Sequence, residues 1–248
     1  MDARTRVEAL IRRLGSAVQR AKVAEMTEDY TVYGITAVDP PQAAAGICAS
    51  NTEIIAQILR QEPAPLSPDE IHDATNLRIS FGREDMTVVD WDAALVLDPE
   101  PDDVRTVLDF ANVQLLEMRY LDQQLDEALE RSYQLLARRR GWRILAPAPF
   151  RADVRAVAEL QLESAILLER VTNSLKFLGE EYLTRIYRLA ARRFQLPELD
   201  ASITRKLATI ESIYQKISDR AAGVRMEVLE WVVILLIALE VVLSLVRH

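Results

Sequence analysis

Residues 231–246, WVVILLIALEVVLSLV, constrain the fold of this chain more than any other stretch. The run holds 12 Val, Leu and Ile residues and one charge, Glu240. A helix so apolar on every side buries itself, either in a bilayer or among other helices. At about −0.3 to −0.6 kcal/mol per residue the twelve give roughly −4 to −7 kcal/mol of insertion free energy. A mid-helix acid offsets about +2.5 to +3.5 kcal/mol of that. Extended back to Val228 the run counts 19 residues, against about 20 needed to span the hydrocarbon. The expectation is a single C-terminal transmembrane helix, with Trp231, Ile234, Leu235, Leu236, Ile237, Glu240 and Leu243 as anchor residues. The alternative is a buried helix within a coiled-coil oligomer, which Glu240 and the short length favour.

The rest of the chain is helix-rich. Seven Gly and ten Pro in 248 residues argue against disorder and against an all-β architecture. Residues 3–24 read as a first, amphipathic helix, with Val7, Leu10, Ile11 and Leu14 on one side. Residues 30–38, YTVYGITAV, have a strand's β-branched and aromatic content. A helix over 42–61 follows, with Ile54, Ile55, Ile58 and Leu59 at helical spacing. Ser67-Pro68-Asp69-Glu70 starts another, with Pro at the first position and acids in the first turn. Leu77, Ile79 and Phe81 alternate before the turn Gly82–Asp85, and Thr87, Val88 and Val89 continue the hairpin. Residues 93–97, AALVL, form a further strand.

Everything after Asp103 reads helical. A long helix over 103–139 carries a seam of Leu108, Ala111, Leu115, Met118, Leu125, Leu129 and Leu136, interrupted by Asp122 and Ser132. A second occupies about 152–194 and ends at Pro197. A third begins at Asp200 or Ser202 as N-cap. Its seam of Ile203, Leu207, Ile210, Tyr214, Ile217, Ala221, Val224 and Val228 alternates spacings of four and three, the mark of a coiled-coil helix. Run on to 246, this helix would be about 70 Å long.

In the C-terminal half, VTNSLKFLGEEYLTRIYRLAARRF and KLATIESIYQKISDRAAGVRMEVLEWVVILLIALEVV carry a pattern that resembles the "required for meiotic nuclear division" family. The residues that carry it are Leu229-Glu230-Trp231, Ile237-Ala238-Leu239-Glu240, Lys206-Leu207 and Ile213-Tyr214. The upstream FANVQLLEMRYLDQQLDEAL fits the family's mid-chain helix, so the resemblance covers 103–246. It implies a membrane-anchored protein with a C-terminal helix and a large domain on its N-terminal side. Eukaryotic members are mitochondrial inner-membrane proteins. The family supplies no catalytic residues to carry over.

Charge is unevenly distributed. The chain is −8 overall, yet residues 61–130 alone are −14 and residues 131–248 are +6. An acidic middle repels nucleic acid. Lys216, Arg220 and Arg225 on the N-terminal side of the apolar run, against Arg247 beyond it, would leave the bulk of a single-pass protein in the cytoplasm, or in the matrix of a mitochondrion. Arg185, Arg188, Arg192 and Arg193 lie mainly on one side of a helix and are expected to pair with the acidic middle.

Residues for chemistry are scarce. His72 and His248 share no local spacing with the lone Cys48, which gives no zinc site and no Ser/His/Asp triad. Seven scattered Gly cannot form a phosphate loop. The acids Asp69, Glu70 and Asp73, and Asp98, Glu100, Asp102 and Asp103, lack EF-hand spacing and read as helix-start acids and a solvated loop.

The sequence therefore yields a mainly α protein in three parts. Residues 1–102 form a small α+β head, 103–228 a stalk of long antiparallel helices, and 229–248 the transmembrane anchor. No catalytic, cofactor or metal residue is assigned. The function expected is a non-enzymatic, membrane-anchored scaffold or tether, with the lipid bilayer and an unidentified protein as partners, homo-oligomer formation open, and nucleic acid disfavoured. The alternatives are a metal-dependent enzyme using the acidic clusters, or a soluble coiled-coil oligomer.

Overall fold

The computed structural model describes residues 3–17, 23, 25–138, 162, 166 and 181–246. Helix α1 spans Ala3–Leu14 and tightens into a 3-10 turn at Gly15–Ala17. Strand β1 (Thr31–Ile35) leads into α2 (Ala44–Ser50), α3 (Thr52–Arg60) and α4 (Pro68–Thr75). Strands β2 (Arg78–Ile79), β3 (Met86–Val89) and β4 (Ala93–Leu97) follow. Three further helices are α5 (Asp102–Arg138), α6 (Glu181–Arg193) and α7 (Leu196–Val246).

The sheet has the order β1-β4-β3-β2. The hairpin pairs β2 antiparallel with β3, and β3 runs antiparallel to β4, Met86 opposite Leu97 and Val89 opposite Ala94. β1 lies parallel to β4, Thr31 opposite Ala93 and Ile35 opposite Leu97. On one face Met86, Val88, Ala93, Leu95 and Leu97 pack with Ala44 and Cys48 of α2 and Ile55 and Leu59 of α3. The alternate residues Thr87, Val89, Ala94 and Val96 are buried as well. Burial on both faces explains why AALVL reads as an unbroken apolar run and not as an alternation.

Local chemistry sets the element ends. The Ser67 hydroxyl accepts from the Glu70 amide at 3.2 Å, capping α4 with Pro68 in its first turn. Asp85 closes the hairpin by accepting from the Phe81 amide at 2.7 Å and from the Gly82 amide. The helix expected over 42–61 is two helices that meet at Asn51, whose backbone leaves the helical region at φ −125° and whose amide and side chain both donate to the Ile47 carbonyl, at 3.1 and 2.8 Å. Pro197 begins a helix where it was expected to end one. The break lies at Phe194–Gln195, with Gln195 at φ 53°, and Pro197 falls in the first turn of α7, where a missing N–H costs nothing. Asp200 and Ser202 are thus interior residues and not caps. The middle of the second long helix, about 152–180, lies largely outside the described residues.

The chain divides into two compact units, Met1–Leu116 with Arg185–Arg193, and Glu117–Thr184 with Phe194–His248. Within the second unit α5 and α7 meet along a seam. Leu125 and Ala128 of α5 and Ile203, Ile210, Ile213 and Tyr214 of α7 are buried, and Leu207 is half-buried. Asp122 and Ser132, the interruptions in the α5 pattern, are both used. Lys206 reaches Asp122 at 2.8 Å and Asp126 at 2.6 Å, and the Ser132 hydroxyl donates to the Ala128 carbonyl at 2.7 Å. Burial pulls the Lys206 ammonium down, but the hydrogen bonds to Asp122 and Asp126 outweigh it and hold its pKa above the ordinary lysine value.

The expected transmembrane helix is corrected here. Among the described residues no helix is long and apolar enough to cross a membrane. Counted from Val228 the run rises about 28 Å at 1.5 Å per residue, at the margin of the roughly 30 Å of hydrocarbon, and it carries two charges, Glu230 and Glu240, each costly in lipid. The fold is mainly helical with a small N-terminal sheet, and the single-pass, tail-anchored placement falls with the span. Trp231, Ile234, Leu235, Leu236 and Ile237 are instead exposed on α7. The side chains of Glu240, Leu243, Ile217 and Val224 lie outside the described residues.

Ile210 is fully buried in the α5–α7 seam. Ile210→Ala should cost about 2–5 kcal/mol, through lost transfer free energy and the cavity left behind. Urea unfolding followed by the helical circular dichroism signal measures it. A loss under about 0.5 kcal/mol, the range of an inert surface change, would show that the seam does not pack as described.

Candidate functional site

The turn Asp90-Trp91-Asp92 joins β3 to β4, tied by the Asp90 amide donating to the Ala93 carbonyl at 2.9 Å. It carries the Asp90 carboxylate into the interior, fully buried. A buried carboxylate needs a paired cation and hydrogen-bond donors. Arg193, the last residue of α6 and itself buried, supplies both: its Nε donates to Asp90 Oδ1 at 2.8 Å, and its Nη2 reaches the same oxygen. The same guanidinium donates to Asp73 of α4 through Nη1 at 3.2 Å and Nη2 at 2.9 Å.

A second cation completes the cluster. Arg60, at the end of α3, donates from Nη2 to Asp73 Oδ2 at 2.6 Å and lies 3.5 Å from Glu70. Its Nε sits 2.9 Å from Asp90 Oδ2, close enough for charge attraction but not aligned as a hydrogen bond. The Arg193 guanidinium lies 5.1 Å from the centroid of the Trp91 ring, a cation–π contact. The Tyr30 hydroxyl donates to the Asp90 carbonyl at 3.3 Å. Burial, then the nearby Asp90 charge, pushes the Tyr30 phenol far above its ordinary range. Burial works against the Arg193 charge, yet the hydrogen bonds to Asp73 and Asp90 hold its pKa above the usual arginine value.

This cluster holds elements together. The two guanidinium groups grip the carboxylates through opposite charge and hydrogen bonds. The network ties α3, α4, the β3–β4 turn and α6 together, across up to 120 positions of chain. Nearby in the same unit, the Tyr187 hydroxyl of α6 donates to the Gln114 side chain of α5 at 2.5 Å, and its ring lies 5.9 Å from Phe110.

The head also holds an open cavity of about 300 Å³ where β1 and β4 end side by side. Ile35, Val38, Ile47 and Leu97 supply its apolar walls. Among the described residues no group of three or more His, Cys, Asp or Glu side chains could hold a metal ion. Of the acids weighed as metal ligands, Asp73 is taken by two arginines, and Asp98 accepts the Glu100 amide at 2.8 Å.

Sequence reasoning pointed Arg193 toward the acidic middle without identifying its partners. Arg185, Arg188 and Arg192 are exposed. Asp90 and Arg60 were missed altogether. A charged residue directly after the apolar run MTVV was the available signal, since a strand buried on both faces carries its first flanking charge to the edge of the core.

Comparison with known proteins places the chain beside an archaeal protein. Residues 1–103 match the family described as Uncharacterized protein MJ0711, N-terminal domain. The chain is 21% identical to Uncharacterized protein MJ0711 of Methanocaldococcus jannaschii over 234 residues, 94% of this chain and 70% of that protein. No solved structure matches. These findings overturn the resemblance to the "required for meiotic nuclear division" family. The residues behind it were mostly Leu, Ile and Glu in short consecutive groups, types that any long helix contains.

Two outcomes test the network. Arg193→Met strands the Asp90 carboxylate and should cost about 3–5 kcal/mol, as breaking a buried pair from one side does; a loss under about 1 kcal/mol in urea unfolding would show that Asp90 finds solvent. The second concerns acid. The hydrogen bond from Arg193, followed by those charges and bonds of Arg193 and Arg60 that outweigh burial, holds the Asp73 carboxyl below its usual value. A depressed folded pKa adds stability that is complete above about pH 4, the unfolded value, and is lost as pH falls through the folded one. The urea midpoint should therefore drop on acidification below that point, and Asp73→Asn should drop less. Parallel acid limbs for the two proteins would refute the pairing.

Proposed function

We propose that this chain is a non-enzymatic helical scaffold that assembles through the distal part of helix α7. One observation carries the reading. Trp231, the consecutive residues Val232–Ile237, and Leu239 stand between 48% and 66% exposed on a helix that, earlier in its course, buries Ile203, Ile210, Ile213 and Tyr214. Seven successive large apolar residues exposed on all sides of a helix form a surface that water does not stabilise, and such patches mark sites of association. The heptad spacing that precedes the patch favours another helix as the occupant. A second copy of this chain supplies that helix without further assumption.

The character of the head supports the same reading. Its buried charges, Asp90 and Arg193, neutralise one another, and the partly exposed Arg60 and Asp73 complete the network. The net charge of −14 over residues 61–130 disfavours nucleic acid as cargo.

Sedimentation velocity of the full chain at micromolar concentration tests the proposal. The expected particle is heavier than one chain. The double substitution Leu235→Glu with Leu239→Glu should return it to single-chain mass with the helical circular dichroism signal retained. A full chain that sediments as one copy, unchanged by those substitutions, overturns it.

A further inference from the structure

The cavity in the α+β head is independent of the α7 surface and points to a ligand of its own. It lies where β1 and β4 end side by side, at the carboxyl ends of the parallel pair. Its volume, about 300 Å³, sits at the small end of ligand pockets. The walls are apolar: Leu97 is buried beneath it, Ile47 is half-buried, and Ile35 and Val38 present their side chains at its mouth. The polar groups at its edge have one sign. Glu84 and Asp98 contribute carboxylates and Gln42 an amide, and the lining contains no Lys, Arg or His.

Among the described residues neither Glu84 nor Asp98 is in an ion pair. The one hydrogen bond to the Asp98 side chain comes from the Glu100 amide, which occupies one of its two oxygens. The contrast with Asp73 and Asp90 in the same unit is direct, since those carboxylates are held by arginines. An apolar pocket rimmed by two carboxylates without cations complements a molecule with an apolar body and a positive head. An anion would be repelled by the rim, and a neutral apolar molecule would gain nothing from the two carboxylates. The surrounding acidic stretch, −14 over residues 61–130, draws cations toward this unit.

We propose that this cavity binds a small organic cation, an ammonium or guanidinium group on a short apolar body. The apolar part rests against Ile35, Val38, Ile47 and Leu97. The cationic head lies between Glu84 and Asp98 and donates to both, and Gln42 offers its amide oxygen.

Ligand-observed NMR and calorimetry on the full chain test this with three probes of like size: phenylethylammonium, the neutral phenylethanol and the anionic phenylpropionate. The expected result is saturable binding of the ammonium probe, weakened by salt, with the neutral and anionic probes at least tenfold weaker. Glu84→Gln and Asp98→Asn should each weaken the ammonium probe about tenfold, the scale of one charge-assisted hydrogen bond. Both side chains sit at the rim, so unchanged circular dichroism separates lost binding from lost fold. Equal binding of all three probes, no binding at millimolar concentration, or binding indifferent to both substitutions overturns the proposal. None of these outcomes bears on self-assembly through α7, which sedimentation reads separately.

Discussion

The contact between Arg193 and Asp90 is the constraint on which the α+β head depends. A carboxylate with no solvent contact sits at the turn between the two central strands, and it is tolerable there only because a buried guanidinium meets it. Arg193 is held in turn by Asp73, by the face of Trp91 and by the helix that carries it, and Arg60 flanks both acids. Charges so arranged stabilise less than an apolar core of the same volume would, but they discriminate strongly among arrangements. A slipped α4 or a rotated α6 would leave a bare charge in the interior. The apolar contacts between the sheet and α2 and α3 supply cohesion; the ion network selects one way of closing the unit.

The second unit solves a related problem by gentler means. Asp122 breaks the apolar seam of α5, and Lys206 of α7 answers it together with Asp126, with Ser202 of α7 3.4 Å from Asp122. A polar position within an otherwise apolar helix seam fixes register, since sliding by one turn separates the partners. Lys206 keeps its head partly hydrated, so the cost of this device is smaller than that of the pair in the head. Helix α5 serves both units: Gln114 engages Tyr187 in the first, and Asp122 engages Lys206 in the second.

Much of the local structure was legible because it rests on local chemistry. Ser67-Pro68 with its following acids, the hairpin turn at Gly82–Asp85, the strand AALVL and the limits of α5 all follow from residues close in sequence. What sequence pattern concealed is what depends on distant partners. Nothing near β1 says that it lies parallel to β4, and nothing near Asp90 names Arg193. Pro197 misled because proline both ends helices and opens them, and the deciding feature, the left-handed Gln195, leaves no compositional trace. Phe81 fits the strand alternation yet is 78% exposed, since the hairpin turn has already begun there. The apolar run at 231–246 suggests a membrane span because a bilayer and a helical partner reward the same residues, and its length and its Glu240 tell against the bilayer. The pocket was invisible for a further reason: its walls come from β1, α2, the hairpin and β4, and no short window contains more than a part of it.

The distance in sequence between Asp90 and Arg193 has a consequence for the order of events during synthesis. Chains emerge N-terminal end first, at about 5–20 residues per second. The strands and first four helices are therefore available well before α6 exists. Until then the nascent head carries the Asp90 carboxylate with Arg60 as its ion-pair partner among the described residues, and Trp91 without the guanidinium that covers it. The region matched by the family model, residues 1–103, ends before Arg193, so the evolutionary segment and the physical unit have different limits. The charge pair that closes the interior of the head is complete only after residue 193 has been made, however early its apolar core can assemble.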